Sequence, residues 1–426
     1  MSAKVPSRDT YAERLAAIST AIIAAQRPIR ILHAVTWPDG VRRRFLARGA
    51  RELPVVDLPP LDFEPGEVRQ RFREIISTLD AGDPMHAILR ETCEQYARVT
   101  EMLAARGTSR FHAISRELYG APADPLLDGD TTSLDLARHL AAALGGGKVK
   151  LGAREEGTIR DEEAAAILRR RLSRYFSGDR ITIEVSGRLT VDAAAGARRI
   201  RVKKGALFSR REVKYLEHHE GHIHVATTLN GMRQPFLKCL AKASPRTTRY
   251  NEGLAVFSEW AGQSLTVRRL LKLKDRVVGI RMAEEGADFL ELYRHHQALG
   301  YTRDEAYEAT RRIFRGADVR GRWPFTKDAS YLFYFIRVFT FLRAAMRLKR
   351  FREIDMLFAG KVTLEDLPVL RRMQRRGLVV RPRYLPPWAR NKDWLACHTA
   401  LSSFVDRIGL SQAERTYERL LETGSD

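Results

Sequence analysis

Cysteine is scarce in this sequence, and the few that occur cannot support the usual cysteine-based frameworks. Cys93, Cys239 and Cys397 are far apart and odd in number. Such a set provides neither a disulfide framework nor a cysteine-type zinc site. We therefore expect the protein to reside in a reducing compartment, the cytoplasm.

Long apolar runs are also missing, which bears on membrane insertion. The most apolar stretch, residues 331–342, is about twelve residues long and contains Arg337, whereas a membrane-spanning helix needs about twenty apolar residues. Residues 15–25 resemble the core of a signal peptide, but Asp9 and Glu13 precede them, and we interpret them as part of an amphipathic helix. The sequence predicts no membrane span.

Acidic side chains are in deficit, since 52 Asp and Glu face 74 Lys and Arg and leave a net charge of +22. So basic a chain is expected to meet acidic partners. A peptide or protein substrate with an acidic tail is one candidate. Nucleic acid is a second, although no zinc-finger spacing, aromatic-rich ribonucleoprotein strand or long basic tail is present. A charged surface without a specific partner is the third interpretation.

The chain is long enough for about two to four domains or subdomains. We predict an N-terminal helix and wrapping arm in residues 1–65, a helical subdomain in 66–157, a catalytic core in 158–350 and a C-terminal helical extension in 351–426. The second boundary follows the Gly-rich stretch 144–157, a composition typical of connections.

Helical periodicity dominates the chain, with one short region of strand alternation. Ser209 and Glu212 form a capping box that begins a helix, predicted to run to about Leu229 and to stop at Asn230-Gly231. The fold class is therefore mainly α with a small β-sheet, an α+β protein. Strands are predicted at 181–185 and at 200–203, the latter before Leu207-Phe208, and other helices at 85–103, 161–176, 251–271, 276–297, 303–314, 327–349, 363–376 and 410–423.

Residues 217–224 hold four His and two Glu, which is a dense set of metal donors. Imidazoles with one carboxylate are a common ligand set for a hydrolytic zinc that keeps one position for water. His218 and His222 have the four-residue spacing of the familiar zinc-peptidase helix, but Glu220 does not directly follow the first. His219 and His224 frame Glu220 correctly, but they are five residues apart.

Five residues of a regular α-helix rotate a side chain by roughly 140°, so His219 and His224 would point to different faces. A wide turn with i to i+5 hydrogen bonds would bring them together, and such π-bulges occur mainly at functional sites. Gly221, a poor helix former, eases the distortion. We predict a bulge at residues 220–224.

A third ligand is expected from a second helix, where Glu252 lies in the otherwise apolar segment 251–259. A carboxylate in such a helix needs a partner. Glu259 is seven residues later on the same face, where it would bind a later turn or orient a ligand. The alternative is that the histidines lie on a solvated helix face and Glu252 forms a surface salt bridge.

An ordered set of motifs resembles the HExxxH metallopeptidase family, which includes the microtubule-associated tyrosine carboxypeptidases and bacterial proteins labelled by a Gln-Glu-Gly-Leu-Ala motif. The resemblance covers most of residues 10–390. Two positions depart from the usual pattern, because Gly221 precedes His222 where the family has a central Gly, and Asn251 replaces the motif Gln. The matching segments are 59–63, 115–120, 218–224, 230–235, 251–255, 325–332 and 381–385.

This resemblance implies a zincin-like catalytic core with two active-site helices and a helical N-terminal subdomain. It implies Zn²⁺ held by His219, His224 and Glu252, with Glu220 as the catalytic base. His222 is an alternative ligand or a substrate contact. His218, Asn251 and Glu259 are candidates for orienting the ligands from behind.

The expected reaction is hydrolysis of a peptide bond, with release of a C-terminal aromatic residue as the form suggested by the eukaryotic relatives. Lys327 and Tyr331 lie four apart at the start of a helix, where one could stabilise the oxyanion and the other bind a substrate carboxylate. Their alternative is an exposed lysine and a core tyrosine. The competing function is a non-catalytic zinc protein that binds nucleic acid or an acidic partner.

Overall fold

The computed structural model describes residues 8–144, 157–187, 189 and 192–405. Helices make up most of the described chain and strands form two small sheets, which confirms the mainly α fold with a small β-sheet. Most of the predicted Gly-rich connection at 144–157 and the predicted helix at 410–423 lie outside the described residues.

The described chain up to residue 175 is mainly helical. Some of the N-terminal turns of its helices carry a side-chain cap, such as Asp83 accepting from the backbone N–H groups of Met85 and His86. The predicted helices 85–103 and 161–176 are confirmed. The bounds are α1 (Arg8–Gln26), α2 (Ile31–Ala34), α3 (Asp39–Ala47), α4 (Pro65–Ser77), α5 (Pro84–Ala104), α6 (Ser109–Tyr119), α7 (Ser133–Leu144) and α8 (Asp161–Tyr175).

The strands are β1 (Ile159–Arg160), β2 (Thr182–Ser186), β3 (Ala193–Ala195), β4 (Arg199–Lys203) and β5 (Leu207–Phe208). In the larger sheet, ordered β2-β4-β3, β2 runs parallel to β4 and β3 runs antiparallel to it. The smaller sheet pairs β1 with β5. The two predicted strands are confirmed as β2 and β4. β3 was not predicted, because three successive alanines have little strand preference.

The rest of the described chain is helical. The predicted helices at 303–314, 327–349 and 363–376 are found with bounds shifted by a few residues at most. The bounds are α9 (Arg210–Leu216), a π-helix (Glu217–Val225), α10 (Ala226–Met232), a 3-10 turn (Lys238–Ala241), α11 (Pro245–Ala261), α12 (Val267–Glu284), α13 (Phe289–Ala298), α14 (Arg303–Phe314), a 3-10 turn (Thr326–Ala329), α15 (Ser330–Arg347), α16 (Phe351–Met356), α17 (Leu367–Arg375), α18 (Pro387–Arg390) and α19 (Lys392–Val405).

Two predicted helices, 251–271 and 276–297, had the wrong bounds. Thr266 caps α12 by accepting from the backbone N–H of Arg269, so the first ends at Ala261. The second is divided by Gly286, which has a φ of 114°, and by the capping box of Asp288 that begins α13. Apolar periodicity continues across both breaks, which is why the pattern concealed them.

The motif helix ends at Met232, one residue beyond its predicted stop at Asn230-Gly231. Asn230 is buried, and its amide donates to the backbone carbonyls of Phe358 and Tyr384. A Cβ on Gly231 would lie 2.5 Å from the backbone nitrogen of Ala241. These two residues serve tertiary contacts in place of ending the helix.

Separate apolar clusters meet at the π-helix. One joins α1, α5, α11, α15 and the region after α16, and it includes Ile223. Another joins α8, the larger sheet and α9, and it includes Val225. The π-helix therefore lies between two cores. The division of the chain into four segments stays a prediction.

Two helical stretches, Asp9–Ala34 and Thr326–Arg347, are long and apolar enough to cross a membrane by length and composition. The first contains Leu15, Ile18 and Ile22, which are buried against the first core, and 28% of its apolar window is buried inside the protein. Half of the apolar window in the second stretch is buried inside the protein. Core helices of this kind pass the same test, and the absence of a membrane span stays a prediction.

Candidate metal centre

The motif helix begins as predicted and then widens. Ser209 and Glu212 form both hydrogen bonds of the capping box at the start of α9. The next nine residues, Glu217–Val225, form a π-helix, which confirms the predicted bulge and extends it by several residues. The i to i+5 bonding of such a turn places residues five apart close to one face.

The widened turn brings His219 and His224 together. Their ring centroids are 4.7 Å apart at an interplanar angle of 85°. Nε2 of His219 lies 3.6 Å from Oε2 of Glu252, and Nε2 of His224 lies 3.5 Å from the same oxygen. Three donor atoms from two helices thus lie close together, and their role as ligands of one metal ion stays a prediction.

Glu252 comes from α11, which packs closely against α15. Helix α11 begins at Ser244 with a capping box and Pro245 in its first turn. A Cβ on Gly253 would lie 2.3 Å from the backbone carbon of Tyr334, so only glycine permits this separation of the two helices. That close packing sets Glu252 beside Lys327, whose Nζ is 3.2 Å from Oε1.

The second oxygen of Glu252 is unusual because Oε2 is buried and has no hydrogen-bond partner among the described residues. Buried polar atoms are normally satisfied. Glu220 differs, since its Oε2 accepts from the backbone N–H of Ala195 in β3 at 2.9 Å. His219, Glu220 and His224 also have donor atoms within 4.8 Å of one another, but the orphaned oxygen belongs to Glu252.

Each convergent imidazole is held from behind through Nδ1. His219 Nδ1 lies 2.7 Å from Oε1 of Glu259, and Glu259 in turn accepts two hydrogen bonds of 3.1 Å from Arg269. His224 Nδ1 lies 2.7 Å from Oδ1 of Asn251. The structure therefore brings both Glu259 and Asn251 to the positions from which they can orient the rings.

Neighbouring charges at this centre oppose the effect of burial on the pKa of His219 and of Glu252. Burial opposes the charge on His219, but the carboxylates of Glu252 and Glu259 outweigh it and raise the pKa of the imidazole to about 9. Burial would raise the pKa of Glu252, but Lys327 and the two histidines hold it well below its usual range. Two buried carboxylates around His219 thus favour a cation at this point.

Lys327 and Tyr331 also reach the centre. Lys327 Nζ lies 5.4 Å from the ring centroid of Tyr331. Burial lowers the pKa of Lys327, but Tyr331, Glu252 and Asp328 more than compensate and raise it above its ordinary value. Lys327 is buried and not exposed, contrary to the alternative interpretation.

The structure does not bring His218 and His222 to the other donors. They pair with each other, with Nδ1 atoms 3.3 Å apart. The His222 ring also packs against Tyr175 at 4.3 Å. Burial, with help from Lys214, lowers the pKa of His218 to about 4. Among the residues that the structure describes, no contact supports their predicted roles toward metal or substrate.

Further charged residues near the centre were not predicted. Arg276 lies 4.9 Å from the Tyr331 ring centroid, and Arg312 donates to Asp328 at 2.6 Å. Nη1 of Arg276 is buried and has no hydrogen-bond partner among the described residues. No local motif marks these residues, because α12, α14 and the turn before α15 meet only in the fold.

Lys361, between α16 and α17, was also missed. Its Nζ lies 2.8 Å from Oδ1 of Asn251 and 3.1 Å from Oγ1 of Thr227. Burial lowers the pKa of this lysine to about 8, against the opposing effect of Glu252 and Glu220. It is separated by 110 residues from Asn251, and no spacing in the sequence signals the contact.

Comparison with known proteins agrees with the resemblance read from the motifs. A family model described as microtubule-associated tyrosine carboxypeptidase matches residues 43–407. No curated protein matches the chain. The matched range contains the π-helix, both residues that orient the imidazoles, and Glu252. Because the match covers most of the 426 residues, the chain belongs to the microtubule-associated tyrosine carboxypeptidase family.

Proposed function

We propose that this protein is a zinc-dependent carboxypeptidase in which His219, His224 and Glu252 hold the metal and Glu220 is the general base. Family membership supports the carboxypeptidase activity. The observation that carries the metal is the orphaned Oε2 of Glu252, which faces two imidazole nitrogens at 3.5 and 3.6 Å.

The donor set and its spacing fit zinc. Two imidazoles and one carboxylate are a common catalytic ligand set, and ligands about 2.0–2.1 Å from a tetrahedral ion lie about 3.4 Å from one another. The separations from Glu252 to His219 and His224 are close to that value. Zinc bound there would act as a Lewis acid that lowers the pKa of water and polarises the scissile carbonyl.

Glu220 is suited to move the proton. Its Oε2 is held by the backbone N–H of Ala195, so the carboxylate has a fixed position next to His219 in sequence and beside the imidazoles in space. We assign it the removal of a proton from the attacking water and its delivery to the leaving amine. A purely structural metal site would need no such base.

The residues around Tyr331 suit a substrate that ends in a carboxylate. Lys327, Arg276 and Arg312 supply three positive charges close to this ring, and Asp328 is the acid that pairs with the two arginines. Burial lowers the pKa of Arg276, which reflects the cost of its charge in this position. We assign Arg276 to the terminal carboxylate, and Lys327 or Tyr331 to the developing oxyanion.

The substrate is proposed to be a peptide or protein tail, with an acidic tail suited to the net charge of +22. The proposed location is the cytoplasm. Cys93 and Cys239 are buried free thiols and Cys397 is an exposed one, which agrees with a reducing environment.

The proposal is tested with Glu220→Gln. The purified protein should contain one zinc per chain, and a peptide library digested by it and analysed by mass spectrometry should lose single C-terminal residues. Glu220→Gln should retain zinc and lose at least about 100-fold in turnover, because general base catalysis contributes about 10²–10⁴-fold. The exposed Glu163→Gln is the matched control and should behave as the parent.

Two results would contradict this function. Unchanged hydrolysis in Glu220→Gln would remove the base from the mechanism. A protein that binds zinc and cleaves no member of the library would favour the competing function, a non-catalytic zinc protein that binds an acidic partner.

A further inference from the structure

We infer that Lys361 is a positioning residue that fixes the orientation of the Asn251 amide and, through it, which ring nitrogen of His224 carries the hydrogen. The inference rests on the proposed function, since it concerns the imidazole nitrogen that would bind the metal. Lys361 is buried, and its backbone N–H donates to the carbonyl of Leu240 at 2.6 Å, which holds the segment after α16 against the 3-10 turn Lys238–Ala241.

The ammonium group of Lys361 has three hydrogens and three acceptors. Nζ lies 2.8 Å from Oδ1 of Asn251, 3.1 Å from Oγ1 of Thr227 and 3.3 Å from the backbone carbonyl of His224. A lysine ammonium is a donor only. All three donors are therefore used inside the protein, and none remains for a substrate.

These contacts give every hydrogen bond in the cluster a direction. Because Lys361 can only donate, the Asn251 atom that faces it must be the carbonyl oxygen, and the amide nitrogen then points to Thr227 Oγ1 at 3.3 Å. Thr227 Oγ1 donates its own hydrogen to the carbonyl of Ile223 at 2.6 Å. The flipped amide would set two donors against each other.

The consequence reaches His224. Oδ1 of Asn251 accepts, so Nδ1 of His224 at 2.7 Å must carry the hydrogen. The other ring nitrogen, Nε2, is then left with its lone pair directed at Glu252. A neutral imidazole binds a metal through such a nitrogen, and the bond at the opposite nitrogen decides which one it is.

The two imidazoles of the centre therefore differ in what they require. His219 faces Glu259, and a carboxylate can only accept, so Nδ1 of that ring carries a hydrogen without further help. His224 faces an amide, which can present either its oxygen or its nitrogen. Lys361 donates to the amide oxygen of Asn251, so the oxygen and not the nitrogen is the atom that faces His224.

Lys361 also serves the π-helix directly. The carbonyl of His224 lies at its C-terminal end and accepts from Lys361 as well as from Thr228 Oγ1 at 2.7 Å. Change from π to α bonding leaves backbone groups that need other partners. The same lysine thus stabilises the turn and directs one of its imidazoles.

The test measures zinc affinity and not activity. Lys361→Met should weaken the binding of zinc by about 10–100-fold, the usual effect of losing a residue that orients a ligand. Affinity is measured by competition with a chromophoric chelator, and the visible spectrum of the Co²⁺ form reports the geometry of the centre. Lys274, a buried lysine on α12 that pairs with Asp275, gives the matched control Lys274→Met, expected to bind zinc as the parent does.

A second substitution distinguishes orientation from general damage. Asn251→Asp replaces the amide by a group that can only accept, so the double variant Lys361→Met/Asn251→Asp should regain most of the lost zinc affinity. Unfolding by heat in the presence of chelator checks that each variant folds. If Lys361→Met does not fold, Lys361→Gln, which keeps a polar side chain that can present either polarity, is expected to weaken zinc binding in the same direction.

The outcomes are separable. Zinc binding as tight in Lys361→Met as in the parent, or a double variant no better than the single one, overturns the inference and leaves the proposed function intact. A parent protein that binds no zinc overturns both.

Discussion

Arg276 is the residue whose surroundings most resemble those of a substrate-binding group. Its guanidinium lies over the Tyr331 ring, its Nε is 3.8 Å from Asp328, and its Nη1 has no hydrogen-bond partner among the described residues. Asp328 is closer to Arg312, at 2.6 Å. Arg276 thus keeps hydrogen-bonding capacity that the fold does not use.

We expect Arg276→Gln to weaken the recognition of a free C-terminal carboxylate. Loss of a hydrogen bond to a charged group costs about 1.5–3 kcal/mol, so kcat/KM for free-acid peptides should fall by about 10–100-fold, mainly through KM. Steady-state kinetics on matched free-acid and amidated peptides measure this. Arg281→Gln, on the same helix and paired with Glu285 at the surface, should change neither. An equal loss for both peptide forms would mean that Arg276 is structural.

At the scale of elements, the contact between α11 and α15 determines where Glu252 lies. The backbone of Tyr334 approaches Gly253 so closely that no Cβ can be accommodated. The two helices must separate if that position gains a side chain, and Glu252 would move with α11.

Gly253→Ala is therefore expected to destabilise the protein by about 1–3 kcal/mol, the usual cost of overpacking, even though alanine favours helix. Chemical denaturation monitored by circular dichroism measures the change. Gly66→Ala in α4, where a Cβ would meet nothing within 4 Å, should be neutral or stabilising by up to about 1 kcal/mol. Equal behaviour of the two variants would contradict the close packing.

The elements also show how far the sequence could be interpreted. The five-residue spacing of His219 and His224 predicted a widened turn, because only one distortion reconciles that spacing with a shared ion. The prediction of Glu252 as a ligand followed from the presence of an acidic residue in an otherwise apolar helix. The end of α11 was predicted too late in the chain, because apolar periodicity continues past it and conceals the cap of α12. Contacts that span more than 100 residues, such as that of Lys361 with Asn251, leave no local pattern in the sequence.

At the scale of the whole molecule, stability depends on groups far from the centre. His296 on α13 is buried, and its Nδ1 lies 2.9 Å from Oγ1 of Thr310. Burial, only partly opposed by Asp275, lowers the pKa of His296 from 6.5 to about 4. The unfolded chain therefore takes up a proton on this side chain before the folded protein does as the pH falls.

Stability from this residue should be complete above pH 6.5 and lost as the pH falls toward 4. Between pH 7 and 4.5 the loss should be about 2 kcal/mol in the free energy of unfolding. His296→Gln should show a correspondingly smaller decrease, measured by denaturant titrations of the metal-free protein at both values of pH. His139→Gln, at an exposed position, should follow the parent. A parallel decrease in all three proteins would exclude His296 as the source.

The widened turn has one more consequence, for insertions and deletions. Removing a single residue between His219 and His224 would restore the four-residue interval at which an ordinary helix aligns two imidazoles. The turn would then close with ordinary i to i+4 bonds, so the helix beyond it would keep its orientation, with Leu229 in the second core and Asn230 beside its carbonyl partners. The π-helix therefore absorbs one extra residue locally, and the five-residue and four-residue metal motifs differ by a single deletion that the rest of the architecture tolerates.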